Sequence, residues 1–116
     1  MKKLLLLVSV ILVLIACSSV NGTQGYVIIK YREDPVNITA PQFEKVDTSK
    51  SSWIGGAWYD EKNSYMVINL NGTYYHYCGM PSTAWNNFKV ANSFGTHYNT
   101  SIKGSYDCRI NFVPNY

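Results

Sequence analysis

The chain is 116 residues long, and ten Lys and Arg against seven Asp and Glu give it a formal charge of +3. A chain of this length makes one domain with a modest core. Lys2 and Lys3 belong to an N-terminal leader, so eight basic residues face seven acidic ones beyond it, scattered singly. That excludes the basic stripe with which nucleic-acid binders neutralise phosphates.

Met1-Lys2-Lys3 is followed by an uncharged run from Leu4 to Ala16. This is shorter than the about 20 residues of a membrane span and has the proportions of a secretory signal over residues 1–16. Its end, Leu14-Ile15-Ala16-Cys17, resembles the bacterial lipobox, whose cysteine receives lipid and becomes the new N-terminus. Cys17 is the expected lipidation site and the lipid the expected membrane contact. Ser18 in place of Asp points to an outer-membrane address facing the periplasm. Small polar residues over 17–25 read as a tether.

In the extension over residues 26–50, Tyr26 to Arg32 is rich in β-branched and aromatic residues and predicts a strand. Asp34-Pro35 and Ala40-Pro41 are expected to interrupt regular structure from there to about Lys50. Ser52 to Tyr59, Ser64 to Leu70 and Thr73 to Tyr77 then predict three strands, the last two joined by Asn71-Gly72, a two-residue turn that wants positive φ. Pro81 stands where a helix begins, with Trp85, Phe88 and Ala91 on one face. Ser93 reads as the N-cap of a second short helix carrying Tyr98 and Ile102, which Gly104 ends. The fold class is α+β: a three-stranded antiparallel meander packed against two short C-terminal helices, with an extra N-terminal strand and a tail over 111–116.

In an oxidising compartment, Cys78 and Cys108 are expected to pair, closing a loop whose cross-link stabilises by roughly 3 to 4 kcal/mol. Two separate free thiols are the alternative. A zinc site needs more ligands at suitable spacing than the sequence supplies.

Over residues 51–110 the chain resembles the KTSC domain, found at the C-terminus of some lysyl-tRNA synthetases and alone in small bacterial and phage proteins. The residues that carry the resemblance are Ser51-Ser52-x-Ile54, Tyr59-Asp60, Asn71-Gly72, Tyr75-x-Tyr77, Pro81, Ala91-x-Ser93-x-Gly95, Tyr98-Asn99, Ile102-Lys103 and Tyr106. The resemblance implies a fold without an established activity, although RNA binding has been suggested for the family. Cys78, Cys108 and Trp58 depart from its pattern.

The Asn71-Gly72 turn sets Leu70 opposite Thr73, Ile68 opposite Tyr75 and Met66 opposite Tyr77, so these residues share one face. That face must receive the helices, which makes Tyr75 and Tyr77 wall and, with Ser93, Gly95, Asn99, Ile102 and Tyr106, structural. The other face carries Tyr65, Val67, Tyr74 and His76, joined by Trp58 if Tyr59 pairs with Ser64. Such an apolar patch is rarely left open. Either the segment from Tyr26 to Phe43 folds over it, or a partner binds there with Trp58, Tyr65, Tyr74 and His76 as anchors.

His76 and His97 lie in no metal-ligand or nucleophile motif, and Gly55-Gly56 marks a bulge, not a phosphate loop. The chain is therefore expected to have no catalytic residues, cofactor, metal or small-molecule ligand. Its expected partner is an envelope protein, in a phage- or prophage-encoded version an outer-membrane receptor. The rival is RNA stacked on Trp58, Tyr74 and His76.

Overall fold

The computed structural model describes residues 24–116. The expected signal peptide, Cys17 and most of the tether lie outside them. No helix among the described residues is long and apolar enough to cross a membrane.

A four-stranded antiparallel sheet, in the order β3-β4-β5-β6, is built from Glu44–Val46 (β3), Ile54–Asp60 (β4), Tyr65–Leu70 (β5) and Thr73–Tyr77 (β6). A separate ribbon pairs Tyr26–Val27 (β1) with Val36–Asn37 (β2). Helices Ser82–Lys89 (α1) and Phe94–His97 (α2) follow, and α2 runs on into a π-helical turn over Tyr98–Ile102. The α+β class and the central meander match the expectation.

Local chemistry explains the meander. Asn71 and Gly72 take φ of 52° and 88°, the type I′ geometry whose twist suits a hairpin. They set the predicted pairs Leu70–Thr73, Ile68–Tyr75 and Met66–Tyr77. A register shift between Ile54 and Gly56 resets the alternation of β4, so Ile54, Ala57 and Tyr59 all enter the helix-side core. Ser93 caps α2, its Oγ accepting the Thr96 N–H at 3.2 Å. Trp85 and Phe88 bury the inner face of α1, with Trp85 stacked on Tyr59 at 5.1 Å. Lys89 and Trp85 both donate to the Glu44 carboxylate, at 2.7 and 3.0 Å, which ties α1 to β3.

Three expectations are corrected. The strand over Tyr26 to Arg32 is regular only at Tyr26–Val27, after which one parallel bridge joins Ile29 to Tyr74 and Tyr31, at φ 69°, turns the chain away. The stretch before Lys50 is not irregular: Pro35 precedes β2 and Pro41 lies in a turn, which leaves Glu44–Val46 free to pair with β4. The first hairpin pairs Asp60 with Tyr65 and Trp58 with Val67, two residues out from the expected register, an even shift that leaves every side chain on its own face. Trp58 keeps its predicted face.

The segment from Val27 to Phe43 closes the second face, where Ile29, Val36 and Ile38 pack with Trp58, Tyr65 and Val67. The tail joins this layer. Pro114 is buried, its carbonyl accepts Arg32 Nη2 at 2.9 Å, and Tyr116 donates to the buried Asp60 carboxylate at 2.7 Å. Cys78 and Cys108 form a disulfide across 30 residues of sequence.

Two consequences can be measured. Replacing both cysteines by alanine should lower unfolding free energy by about 3.5 kcal/mol, read from denaturant unfolding curves with the slope determined for each chain. Ile29→Ala should cost about 2 to 5 kcal/mol and shift tryptophan emission to the red as water reaches Trp58.

Candidate functional site

The second layer decides the fate of the expected partner anchors. Trp58 is 6% exposed and Tyr65 fully buried, with Tyr74 tilted on Trp58 at 5.8 Å. As a correction, Trp58 and Tyr65 present no surface, because Ile29, Val36 and Ile38 occupy the place given to a partner. The same cover removes Trp58 from any base-stacking platform. Tyr74 and His76 remain half-buried at the margin.

Several of the family-motif residues make contacts within the fold. Tyr77 and Tyr98 share a hydroxyl hydrogen bond beneath the helices, and Tyr75 packs on the helix-side core. Burial and the Tyr98 partner push the Tyr77 phenol well above its ordinary range. Ser51 Oγ accepts the N–H groups of Trp53 and Ile54. Gly95 lies against the Trp53 ring, where a Cβ would come within 2.8 Å of it. Ile102 is buried, Tyr106 accepts the Cys78 N–H on its carbonyl at 2.8 Å, and Asn99 is exposed.

What the sequence did not assemble is a groove of about 850 Å³ along the outer edge of β6. Its floor is Tyr75, His76 and Tyr77. One wall is the Lys30–Asp34 segment and the other the loop from Gly104 through Arg109, with Val113 and Asn115. At the mouth, Tyr31 is 83% exposed, and beside Arg109 and Val113 the side chains of Ile110 and Phe112 are 84% and 71% exposed. Other large apolar side chains stand open elsewhere, among them Val90, the C-cap of α1.

In a two-residue hairpin the residues flanking the turn form a hydrogen-bonded pair, and backbone groups alternate between the two sides of a strand. Thr73, Tyr75 and Tyr77 therefore turn theirs to β5, while Tyr74, His76 and Cys78 turn theirs outward. Two outward partners fit that alternation. Lys30 N–H donates to the Tyr74 carbonyl at 2.9 Å, and Cys78 N–H donates to Tyr106. Beyond Lys30 the chain leaves, with Arg32 N–H closing a turn onto Ile29 at 3.1 Å. The backbone of His76, between them, has no partner on this edge among the described residues.

The His76 side chain is held. Arg32 Nη1 donates to Tyr65 Oη at 3.4 Å, and Tyr65 Oη lies 2.9 Å from His76 Nδ1. Arg32 thus uses one lone pair of Tyr65 Oη, and the Tyr65 hydroxyl and His76 Nδ1 share the second hydrogen bond. Burial, then the Arg32 charge, lowers the His76 pKa, so the ring is neutral at pH 7. One ligand atom of His76 and the sulfurs of Cys78 and Cys108 lie within 4.8 Å of one another. Joined as a disulfide, those sulfurs are not the thiolates a soft metal takes. The groove's charges balance: Lys30, Arg32 and Arg109 face Glu33, Asp34 and Asp107, and Arg109 and Asp107 are paired at 2.7 Å.

The lowered His76 pKa fixes a pH dependence. The unfolded chain takes up this proton at about pH 6.5 and the folded chain only at lower pH. The contribution is complete above the unfolded value and is lost as pH falls through the folded one, because there the unfolded state binds more protons. Between pH 7 and 5 the melting temperature should fall more for the native chain than for His76→Gln, and parallel curves would refute this.

No curated protein and no solved structure matches the chain. One family model does, over residues 50–106, from just before β4 to Tyr106. The N-terminal layer, β3, Cys108 and most of both groove walls lie outside that match. With its meander, its helices and the motif residues placed as above, the matched part of the chain is a KTSC domain.

Proposed function

We propose that the protein is a lipid-anchored cell-envelope protein whose KTSC domain is a non-enzymatic protein-binding module, with the groove beside β6 as the place of contact. The observation that carries this reading is a groove lined by the highly exposed Tyr31 and by Val113, with Ile110 and Phe112, also highly exposed, adjoining its lining residues Arg109 and Val113 in sequence. Exposed apolar side chains clustered beside a concavity mark an interaction surface.

The address rests on the leader, the Leu14-Ile15-Ala16-Cys17 signature and a cysteine pair suited to an oxidising compartment. The non-enzymatic reading rests on His76, whose Nδ1 is engaged by Tyr65, and on cysteines joined to each other. The balanced groove charges weigh against RNA, whose binding draws on phosphate neutralisation. In its specific form the protein is phage- or prophage-encoded, occupies an outer-membrane receptor and blocks further infection. Expression in a sensitive host that leaves phage adsorption unchanged across a panel would remove that form.

The general reading has two tests. Cys17→Ala should abolish incorporation of labelled palmitate and release the protein from membranes. A photo-crosslinker at Phe112 in living cells should give a discrete protein adduct that one at Val90, just past α1, does not. Binding of that protein, once purified, should weaken at least about tenfold with Ile110→Asp and Phe112→Asp. Adducts to lipid alone would assign the rim to the bilayer and overturn the protein-binding reading.

A further inference from the structure

We infer that the groove binds its partner by strand addition: an extended, apolar protein segment pairs with the outward N–H and C=O of His76, completing the edge of β6. This rests on the reading of the groove as a protein contact and specifies its chemistry.

The edge of β6 is nearly closed. The chain's own backbone occupies it at both ends, through Lys30 on Tyr74 and Tyr106 on Cys78. Between these contacts one residue remains whose donor and acceptor point into the groove, and a matched donor and acceptor on one residue is what the backbone of another strand satisfies. The opening suits roughly three residues at about 3.3 Å each.

Both flanks are built to stop short. Lys30 is followed by Tyr31 at φ 69°, and the residue that closes the other end is Tyr106 at φ 55°. A left-handed backbone is uncommon for side chains of this size and marks places where surrounding structure imposes the conformation. Here the two tyrosines frame the opening.

The walls indicate which segment fits. Their charges cancel, and two of the cations are already engaged: Arg32 by the carbonyls of Asp34 and Pro114, and Arg109 by Asp107. Selection falls to the backbone and to apolar side chains that meet Tyr31 and Val113. The paired residue of the segment cannot be proline, which has no N–H.

A random heptapeptide library selected on the purified protein provides the probe. Enriched peptides should be rich in β-branched and aromatic residues and should bind Val90→Ala, outside the groove, about as well as the native chain. They should lose about tenfold or more on His76→Pro, which removes the outward N–H while leaving the β5 ladder its donors. Should His76→Pro fail to fold, hydrogen exchange at the native His76 amide decides, and bound peptide should slow it. No enrichment, equal binding to His76→Pro in its folded form, or an unprotected His76 amide would overturn strand addition. Rim-dependent capture from Phe112 would still stand in that case, so the two readings fail separately.

Discussion

Everything in this structure follows from a central strand with no polar side. Tyr65, Met66, Val67 and Ile68, four consecutive residues of β5, are all fully buried. Consecutive side chains point to opposite faces of a sheet, so a strand of this kind needs a layer on each. The KTSC helices supply one, through Trp85, Phe88, Tyr98 and Ile102. The other comes from the segment ahead of the domain and the tail behind it. Arg32 pins the two together, reaching the Pro114 carbonyl, the Tyr65 hydroxyl and the faces of Tyr65 and Tyr116. The disulfide adds a covalent tie on the same side of the molecule. Its two ends come from different parts of the chain's history of contacts: Cys78 follows β6 inside the domain, and Cys108 lies just beyond it.

Where structure is decided by neighbours in sequence, it could be read from the residues. Asn71-Gly72 determined a register, and Ser93 a helix start, because the chemistry of each is complete within a few residues. Tyr26 to Arg32 has strand composition, and part of it does bridge to the sheet, yet Gly25 and Tyr31 bend the segment at both ends. β3 was hidden for a different reason. Glu44-Lys45-Val46 is short, largely polar and close behind Pro41, as an edge strand can be, and only its pairing with Ala57, Trp58 and Tyr59 makes it a strand. Nothing local encodes that pairing.

The site divides along the same line. His76 stood out in the sequence as a side chain among tyrosines, and the question put to it was whether those rings met a ligand. The groove walls come from residues about 45 positions before it and 30 after, so no spacing rule could bring them together. The apolar face that drew attention is covered, and the open feature is the strand edge beside it. An edge carries no signal in a one-dimensional pattern, because every strand has the same backbone.

An open edge is a liability in a sheet protein, and chains usually cover, twist or charge it. This chain brings a cover to within one residue of completion. Continuing the Lys30 segment along β6 would satisfy His76 and would spare Tyr31 a left-handed backbone, a conformation that costs on the order of 1 kcal/mol or more for such a residue. Instead the chain turns off at Tyr31, and the opposite wall reaches the edge only at Tyr106, also left-handed. Packing alone does not account for a gap that leaves a backbone pair unmet and keeps strain on each side of it. A gap reserved for another strand accounts for both, since the incoming backbone supplies at His76 what the chain withholds.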